Sequence, residues 1–120
     1  TGEWKGATAG GCANNPETYG NNPRYQFTLE SDNHVLVELK GPKQFQIGFD
    51  IQCVVAGNRE STKYFKRVNS GPYRSGYVVK QLEVVAGTYD IIPSTFRPGK
   101  ESPFILIVHC SSPIKVGRLQ

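Results

Sequence analysis

Short alternating runs of apolar and polar residues, separated by glycine and proline, constrain the fold of this chain most strongly. Apolar and polar residues alternate at 25–30, 35–40, 45–51 and 114–119. The segment 77–84 is a weaker case, and 89–92 and 104–110 are nearly continuous apolar runs. Successive side chains of a strand point to opposite faces, so this period of two is typical of β-strands. No segment keeps a helical period. The pattern predicts an all-β fold, an antiparallel β-sandwich of about eight strands in two packed sheets.

The connections are rich in glycine, proline, asparagine and serine. Residues 31–34 form a short polar turn that predicts a tight hairpin between the strands on either side. Residues 56–76 are expected to be a long irregular loop, and 93–102 a second irregular stretch. With 120 residues and no linker, the chain is predicted to be one domain over 1–120. It begins at Thr1 and contains no methionine, so we expect a piece of a larger protein.

The cysteines are three in number and widely spaced, at Cys12, Cys53 and Cys110. Small secreted domains usually carry an even disulfide framework, and no secretory signal is present. We therefore expect three reduced, buried thiols in an intracellular protein, cytoplasmic or alternatively nuclear.

Three motifs stand out beyond the strand pattern. The only tryptophan, Trp4, precedes a run of small residues that ends in Gly10, Gly11 and Cys12. We expect Trp4 to be buried where another backbone comes close, because glycine permits such an approach. The second motif is Asn-Asn-Pro-Arg-Tyr at 21–25. The third is Ile-Pro-Ser-Thr-Phe-Arg-Pro-Gly-Lys at 92–100, which we interpret as structural, with Thr95 and Phe96 as its anchors and Arg97 and Lys100 at the surface.

Together these motifs, in this order over about residues 4–108, resemble the β-sandwich of calpains, the C2-like domain III. In finer detail the chain resembles the PalB-type atypical calpains, which carry two such domains in tandem, and the resemblance implies the distal C-terminal copy. The resemblance implies that the parent is an intracellular, calpain-like cysteine protease, that is, a thiol protease and hydrolase. This chain would be a non-catalytic accessory domain that docks on the protease core, on its twin domain or on a partner protein.

Catalysis within this chain is not expected. The two histidines are His34 and His109, and His109 is adjacent to Cys110 on a predicted strand, so their side chains point to opposite faces. No other pairing of nucleophile and base is evident, and none of the motifs of the calpain protease core is present. We predict no enzyme activity and no cofactor for the chain alone.

Calcium binding is not expected either. Calcium takes six to eight oxygen ligands, and the acidic residues of this chain are scattered, with the densest group being Glu30 and Asp32. Conventional calpains carry a long acidic loop in this region, where this chain has only residues 31–34. We therefore predict no metal site.

Positive charge is concentrated between residues 56 and 76. This segment carries Arg59, Lys63, Lys66, Arg67 and Arg74, and their excess over its one acid, Glu60, equals the net charge of +4 of the chain. Such a segment is able to contact anionic phospholipid or a partner protein. Alternatively, it is a solvated loop whose Tyr64 and Phe65 pack against the sandwich edge. On either interpretation, reversing Lys66 and Arg67 to glutamate should hardly change stability. Nucleic acid is not an expected partner, since no sheet face combines aromatic and base-reading residues.

Overall fold

The computed structural model describes residues 2–112 and 114–119. These residues form ten strands, one 3-10 turn and one short helix, α1. The 3-10 turn covers Gly6–Thr8 and α1 covers Pro16–Tyr19. The strands are β1 Gly2–Trp4, β2 Tyr25–Leu29, β3 Asn33–Lys40, β4 Gln46–Ala56, β5 Arg67–Asn69, β6 Arg74–Ser75, β7 Tyr77–Val84, β8 Gly87–Thr95, β9 Ser102–Cys110 and β10 Gly117–Arg118.

The strands are arranged in two antiparallel sheets. One sheet has four strands in the order β1-β9-β3-β7, and the other has six, in the order β10-β2-β8-β4-β5 with β6 also paired to β4. The prediction of an all-β antiparallel sandwich is confirmed. Each range predicted as a strand overlaps an observed strand, although only two residues of the predicted range 114–119 are in a strand, β10. The additional strands β1, β5 and β6 have only two or three residues each, too few to show an alternation, and two of them lie in the segment 56–76 that was expected to be irregular.

One predicted connection is wrong. The turn at 31–34 was expected to close a hairpin, but β2 belongs to the six-stranded sheet and β3 to the four-stranded sheet. The chain therefore crosses between the sheets at this turn. It also crosses between β1 and β2, β3 and β4, β6 and β7, β7 and β8, β8 and β9, and β9 and β10. The alternating apolar residues of these strands consequently face one another across a single core.

The core consists of the inward-facing side chains of both sheets. Its fully buried members are Trp4, Val35, Val37, Leu39, Ile47, Phe49, Ile51, Tyr89 and Ile91, with Phe27, Leu29 and Phe104 next to them. The rings of Phe27 and Tyr89 stack with their centroids 5.6 Å apart. Among the described residues, the helical elements are one turn each, and no helix is long and apolar enough to cross a membrane.

Trp4 is buried, as predicted, with no exposed surface. Its Nε1 donates a hydrogen bond to the carbonyl oxygen of Pro93 at 3.1 Å, and its ring centroid lies 4.4 Å from that of Phe104. Another backbone does approach Gly10 and Gly11. That backbone is Thr18 at Gly10 and Pro98 at Gly11, so the close approach serves the loops around the sheet rather than the Trp4 ring.

The cysteines and the motif at 92–100 agree with expectation, except that Cys53, Cys110 and Phe96 are less buried than predicted. All three thiols are free, but only Cys12 is buried, while Cys53 and Cys110 are half-buried. In the motif at 92–100, Thr95 is buried and its Oγ1 donates to the carbonyl of Arg97 at 2.6 Å, as expected of an anchor. Phe96 was expected to anchor the motif as well, but it is 44% exposed. It lies just after β8, on the outer side of the sheet, where its ring centroid is 5.8 Å from that of Tyr73.

Candidate docking surface and basic segment

The five cations of the basic segment, residues 56–76, differ in whether they have partners within the chain. Arg67 lies on β5, and its guanidinium donates to Oδ2 of Asp50 and to the hydroxyl of Tyr19, both at 2.8 Å. The Tyr19 hydroxyl also hydrogen-bonds to Asp50, and the guanidinium carbon lies 5.3 Å above the Tyr19 ring. The hydrogen bond to Asp50 raises the pKa of Arg67, and burial followed by the hydrogen bond to Asp50 raises the pKa of Tyr19. Arg67 therefore ties α1 and β5 to the buried carboxylate of β4.

This network overturns one expectation about the basic segment. Reversing Lys66 and Arg67 to glutamate was expected to be nearly neutral for stability. A glutamate at position 67 would face Asp50, which is 8% exposed, and would leave that carboxylate without its cation. The Asp50 side chain is only 11% exposed, although that of Arg67 is 44% exposed. Removing the cation leaves a buried carboxylate unpaired, which is destabilising, so the double reversal is expected to weaken the fold.

Two of the remaining four cations also have partners. Lys63 Nζ lies 3.4 Å from Glu83 Oε2, and the guanidinium carbon of Arg59 lies 5.9 Å from the ring centroid of Tyr64. Lys66 and Arg74 are exposed and make no ion pair within the part of the chain that the structure describes. The role of all five residues as contacts for an anionic surface or a partner stays a prediction, and Lys66 and Arg74 are the two whose charge is free for it.

The aromatic residues of the basic segment also differ in their surroundings. The ring of Phe65 lies 5.6 Å from that of the buried Tyr89, so this part of the segment packs against the core. Tyr64 is half-buried under Arg59. The segment is thus held to the sandwich edge by Phe65 and by the pairing of β5 and β6 with β4, and it is not a free loop.

A second surface, which sequence analysis missed, lies on the outer side of the four-stranded sheet. Strand register places Lys40 of β3 between Tyr77 of β7 and Ile105 of β9, and Glu38 of β3 between Val79 and Ile107. Tyr77, Val79 and Ile105 are 42%, 43% and 44% exposed. We call this surface the apolar face; its members are Leu36, Tyr77, Val79, Ile105 and Ile107.

Glu38 lies at the centre of the apolar face, and its two oxygens are both occupied. Tyr77 donates its hydroxyl to Oε1 at 2.6 Å, and His109 Nε2 lies 2.7 Å from Oε2. The hydrogen bonds from Tyr77 and then His109 lower the pKa of Glu38, so the carboxylate is charged at neutral pH and held in place. The polar atoms at the centre of this face are therefore largely paired within the sheet, and its apolar side chains are left uncovered.

One signal in the sequence did indicate this face. The segment 77–84 shows the weakest alternation of the predicted strands, because Val78 and Val84 face the core while Tyr77 and Val79 face outward. A strand that is apolar on both faces is typical of a sheet with a layer on each side.

The structure agrees with the sequence on the geometry of His109 and Cys110. His109 points outward to Glu38, while Cys110 packs against the core and its thiol donates to the carbonyl of Ser112 at 2.8 Å. Within residues 2–112 and 114–119, no group of three or more His, Cys, Asp or Glu side chains is placed to hold a metal ion.

Comparison with known proteins assigns the chain to a family. Residues 1–109 match the family described as calpain large subunit, domain III. The chain is 45% identical over 120 residues to "Calpain-7" of Sus scrofa and 31% identical over 135 aligned positions to "Calpain-A" of Drosophila melanogaster. These alignments cover 99% and 89% of this chain but only 15% and 16% of the relatives. The chain thus spans about a sixth of the length of the relatives it matches.

A solved structure shows the same kind of fold at low sequence identity. The pre-peptidase C-terminal domain of a collagenase from Bacillus anthracis superposes with a TM-score of 0.53 over 72% of this chain and 74% of that one, at 9% identity. This similarity concerns the fold alone. A C-terminal copy of domain III is consistent with the sequence matches. The chain belongs to the calpain family, as a domain III, which is a non-catalytic β-sandwich of these proteins.

Proposed function

We propose that this chain is an accessory domain of an intracellular, calpain-like cysteine protease and that it docks through the apolar face on another domain of the same polypeptide. The observation that carries the proposal is the uncovered apolar face itself. Its side chains lie on regular strands and surround a carboxylate whose oxygens are already bonded. The relatives are more than six times as long as this chain, and a parent polypeptide of that length would supply a domain to cover the face.

The composition of the face suits contact between domains. Interfaces within a chain bury about 600–1,500 Å² and are more polar than obligate interfaces. Here Val79, Ile105 and Ile107 are apolar and lie on the two strands that flank β3. The charge of Glu38 between them is paired with His109. Few unpaired charges among apolar side chains are typical of the central part of a contact surface.

The test places a charge in the centre of the apolar face. Val79→Glu and Ile105→Glu should abolish binding of this chain to the rest of its parent polypeptide, expressed separately, because each would bury an unpaired carboxylate in the interface. Val55→Glu is the matched control, since Val55 is 58% exposed but lies on β4 of the other sheet. Binding should be measured by calorimetry. No binding of the unmodified chain, or equal loss with Val55→Glu, would refute docking through this face.

A second candidate function is calcium-independent binding to anionic membrane surfaces through the basic segment. The observation that favours it is that Lys66 and Arg74 are exposed and free of ion pairs among the described residues. Each basic residue near an anionic surface contributes about 1 kcal/mol. Lys66→Glu with Arg74→Glu is therefore the informative variant, because it leaves the Arg67–Asp50 pair intact. Vesicles of phosphatidylserine should bind the unmodified chain and not this variant; equal binding by both would contradict membrane contact through the segment.

A further inference from the structure

A pocket lies at the end of the six-stranded sheet, where β4 begins and β8 ends. We call it the Arg97 pocket. It has a volume of about 230 Å³, is open to solvent on one side, and its lining includes Gln44, Phe45, Gln46, Phe96, Arg97 and Lys100. The apolar face lies on the other sheet and shares no residue with the pocket.

The two cations of the Arg97 pocket are not neutralised. Arg97 and Lys100 are exposed, and neither makes an ion pair within the described part of the chain. The acid next to them in sequence, Glu101, is turned to another partner, because its Oε2 accepts a hydrogen bond from the amide of Gly6 at 2.6 Å. The pocket therefore combines two free positive charges with no lining carboxylate.

The loop that carries these cations is fixed by its backbone. The amide of Phe96 donates to the carbonyl of Gln46 at 2.8 Å, which extends the pairing of β8 with β4. The amide of Gly99 donates to the carbonyl of Ala9 at 2.7 Å, with Gly99 in the left-handed region at a φ of +80°. The Thr95 hydroxyl closes the turn on Arg97. A loop fixed in this way loses little further freedom when it binds a ligand.

We infer that the Arg97 pocket binds a small phosphomonoester, either free or as the headgroup of a lipid. A phosphomonoester carries a charge of about −1.5 to −2 at pH 7, which matches two cations. The planar guanidinium of Arg97 is suited to bidentate contact with two phosphate oxygens, and Lys100 adds a point charge. The side-chain amides of Gln44 and Gln46 supply further N–H donors. Phe45 and Phe96 provide apolar walls for the organic part of the ligand.

The pocket size favours this class over an extended partner. About 230 Å³ lies below the range of pockets that bury drug-sized ligands, roughly 300–1,000 Å³, and this volume suits a single headgroup. This inference does not rest on docking through the apolar face, because no residue is common to the two surfaces.

The experiment uses the 120-residue chain and glycerol 3-phosphate as the probe. Titration followed by amide NMR should give saturable shifts centred on Gln46, Phe96, Arg97 and Lys100. Arg97→Gln with Lys100→Gln should weaken binding about a hundredfold, since each charge-assisted contact is worth about tenfold or more. The control variant is Arg59→Gln with Lys66→Gln, which removes the same two residue types elsewhere and should change binding less than about twofold.

A second variant guards against loss of folding. Gln46→Glu places a carboxylate in the lining without removing a cation, and it should also weaken binding by about tenfold or more. Absence of saturable shifts, or equal weakening in the control pair, would overturn the inference. Vesicles of phosphatidylcholine with phosphatidic acid distinguish the two sources. Binding to them that is lost in Arg97→Gln with Lys100→Gln indicates the lipid headgroup, and glycerol 3-phosphate binding without vesicle binding indicates a free phosphomonoester.

Discussion

Replacing Trp4 with alanine should strongly destabilise this domain. Trp4 is fully buried between the sheets and packs against Phe104. A buried tryptophan removes about 200 Å² from water, and at about 25 cal/mol per Å² that corresponds to roughly 5 kcal/mol. The variant also leaves the carbonyl of Pro93 without its donor, which costs about 1–3 kcal/mol more. The expected loss in the free energy of unfolding is therefore at least about 3–5 kcal/mol, a large part of the 5–15 kcal/mol that is typical of a domain.

Trp4→Phe separates the two contributions. It retains an aromatic ring against Phe104 but removes the indole N–H, so we expect a loss of about 1–3 kcal/mol, mainly from the unpaired Pro93 carbonyl. Urea melts should be followed by far-ultraviolet circular dichroism, because both variants lose the only tryptophan fluorophore. Val79→Thr is the control: Val79 is 43% exposed on the outer side of the same sheet, and the substitution should change stability by about 0.5 kcal/mol or less. A loss below about 1 kcal/mol in Trp4→Ala would refute the burial argument.

Three further outcomes are expected. Thiol titration of the denatured, unreduced chain should count three cysteines, since all three are free, and a count of one would reveal a disulfide. Millimolar calcium should leave the melting temperature within the range of a magnesium control, because a ligand of the native state would raise it. In the folded chain, burial raises the pKa of Tyr73 to about 12. In the unfolded chain the same phenol has its ordinary pKa of about 10, so it ionises at a lower pH there than in the folded chain. The free energy of unfolding should then fall as the pH rises from about 10 to 12; urea melts over that range should show a shallower fall in Tyr73→Phe, and an identical slope would contradict the assignment.

The long strands could be predicted from the sequence because their alternation has a physical cause. In β3, Val35, Val37 and Leu39 face the core and must be apolar, while the residues between them need not be. The short strands β1, β5 and β6 have no such pattern. They pair because β9 and β4 offer free edges, and a free edge is a tertiary property that two or three residues do not encode.

The assignment of strands to sheets could not be predicted in the same way. A four-residue turn of polar residues serves equally well to close a hairpin and to cross between two packed sheets. The difference at 31–34 lies in where β2 finds its partner, which is β8, about 60 residues further along the chain. Long-range pairing of this kind leaves no local signal, and hence the hairpin prediction was wrong.

Which basic residues form ion pairs could not be predicted from the sequence either. Composition located the positive charge correctly between residues 56 and 76, but it treated Arg67 and Lys66 as equivalent. The difference arises from Asp50, which the strand pattern shows only as a polar residue on the outward side of β4. Because β5 pairs with β4 and α1 packs over it, that outward side is covered, and Asp50 needs the guanidinium of Arg67.

The two sheets differ in how far their outer sides are covered by other parts of the chain. The six-stranded sheet has its outer side partly covered within the chain, by α1 and by Tyr73, and the polar groups there are paired. The four-stranded sheet has no equivalent layer in the described residues, yet Val79 and Ile105 are apolar there. If a neighbouring domain supplies that layer, Val79→Glu should abolish docking and leave glycerol 3-phosphate binding unchanged, because the Arg97 pocket lies on the other sheet. Conversely, Arg97→Gln with Lys100→Gln should leave docking intact. If either variant lost both docking and glycerol 3-phosphate binding at an unchanged melting temperature, a single surface would carry both interactions. That result would contradict the assignment of docking and ligand binding to different sheets.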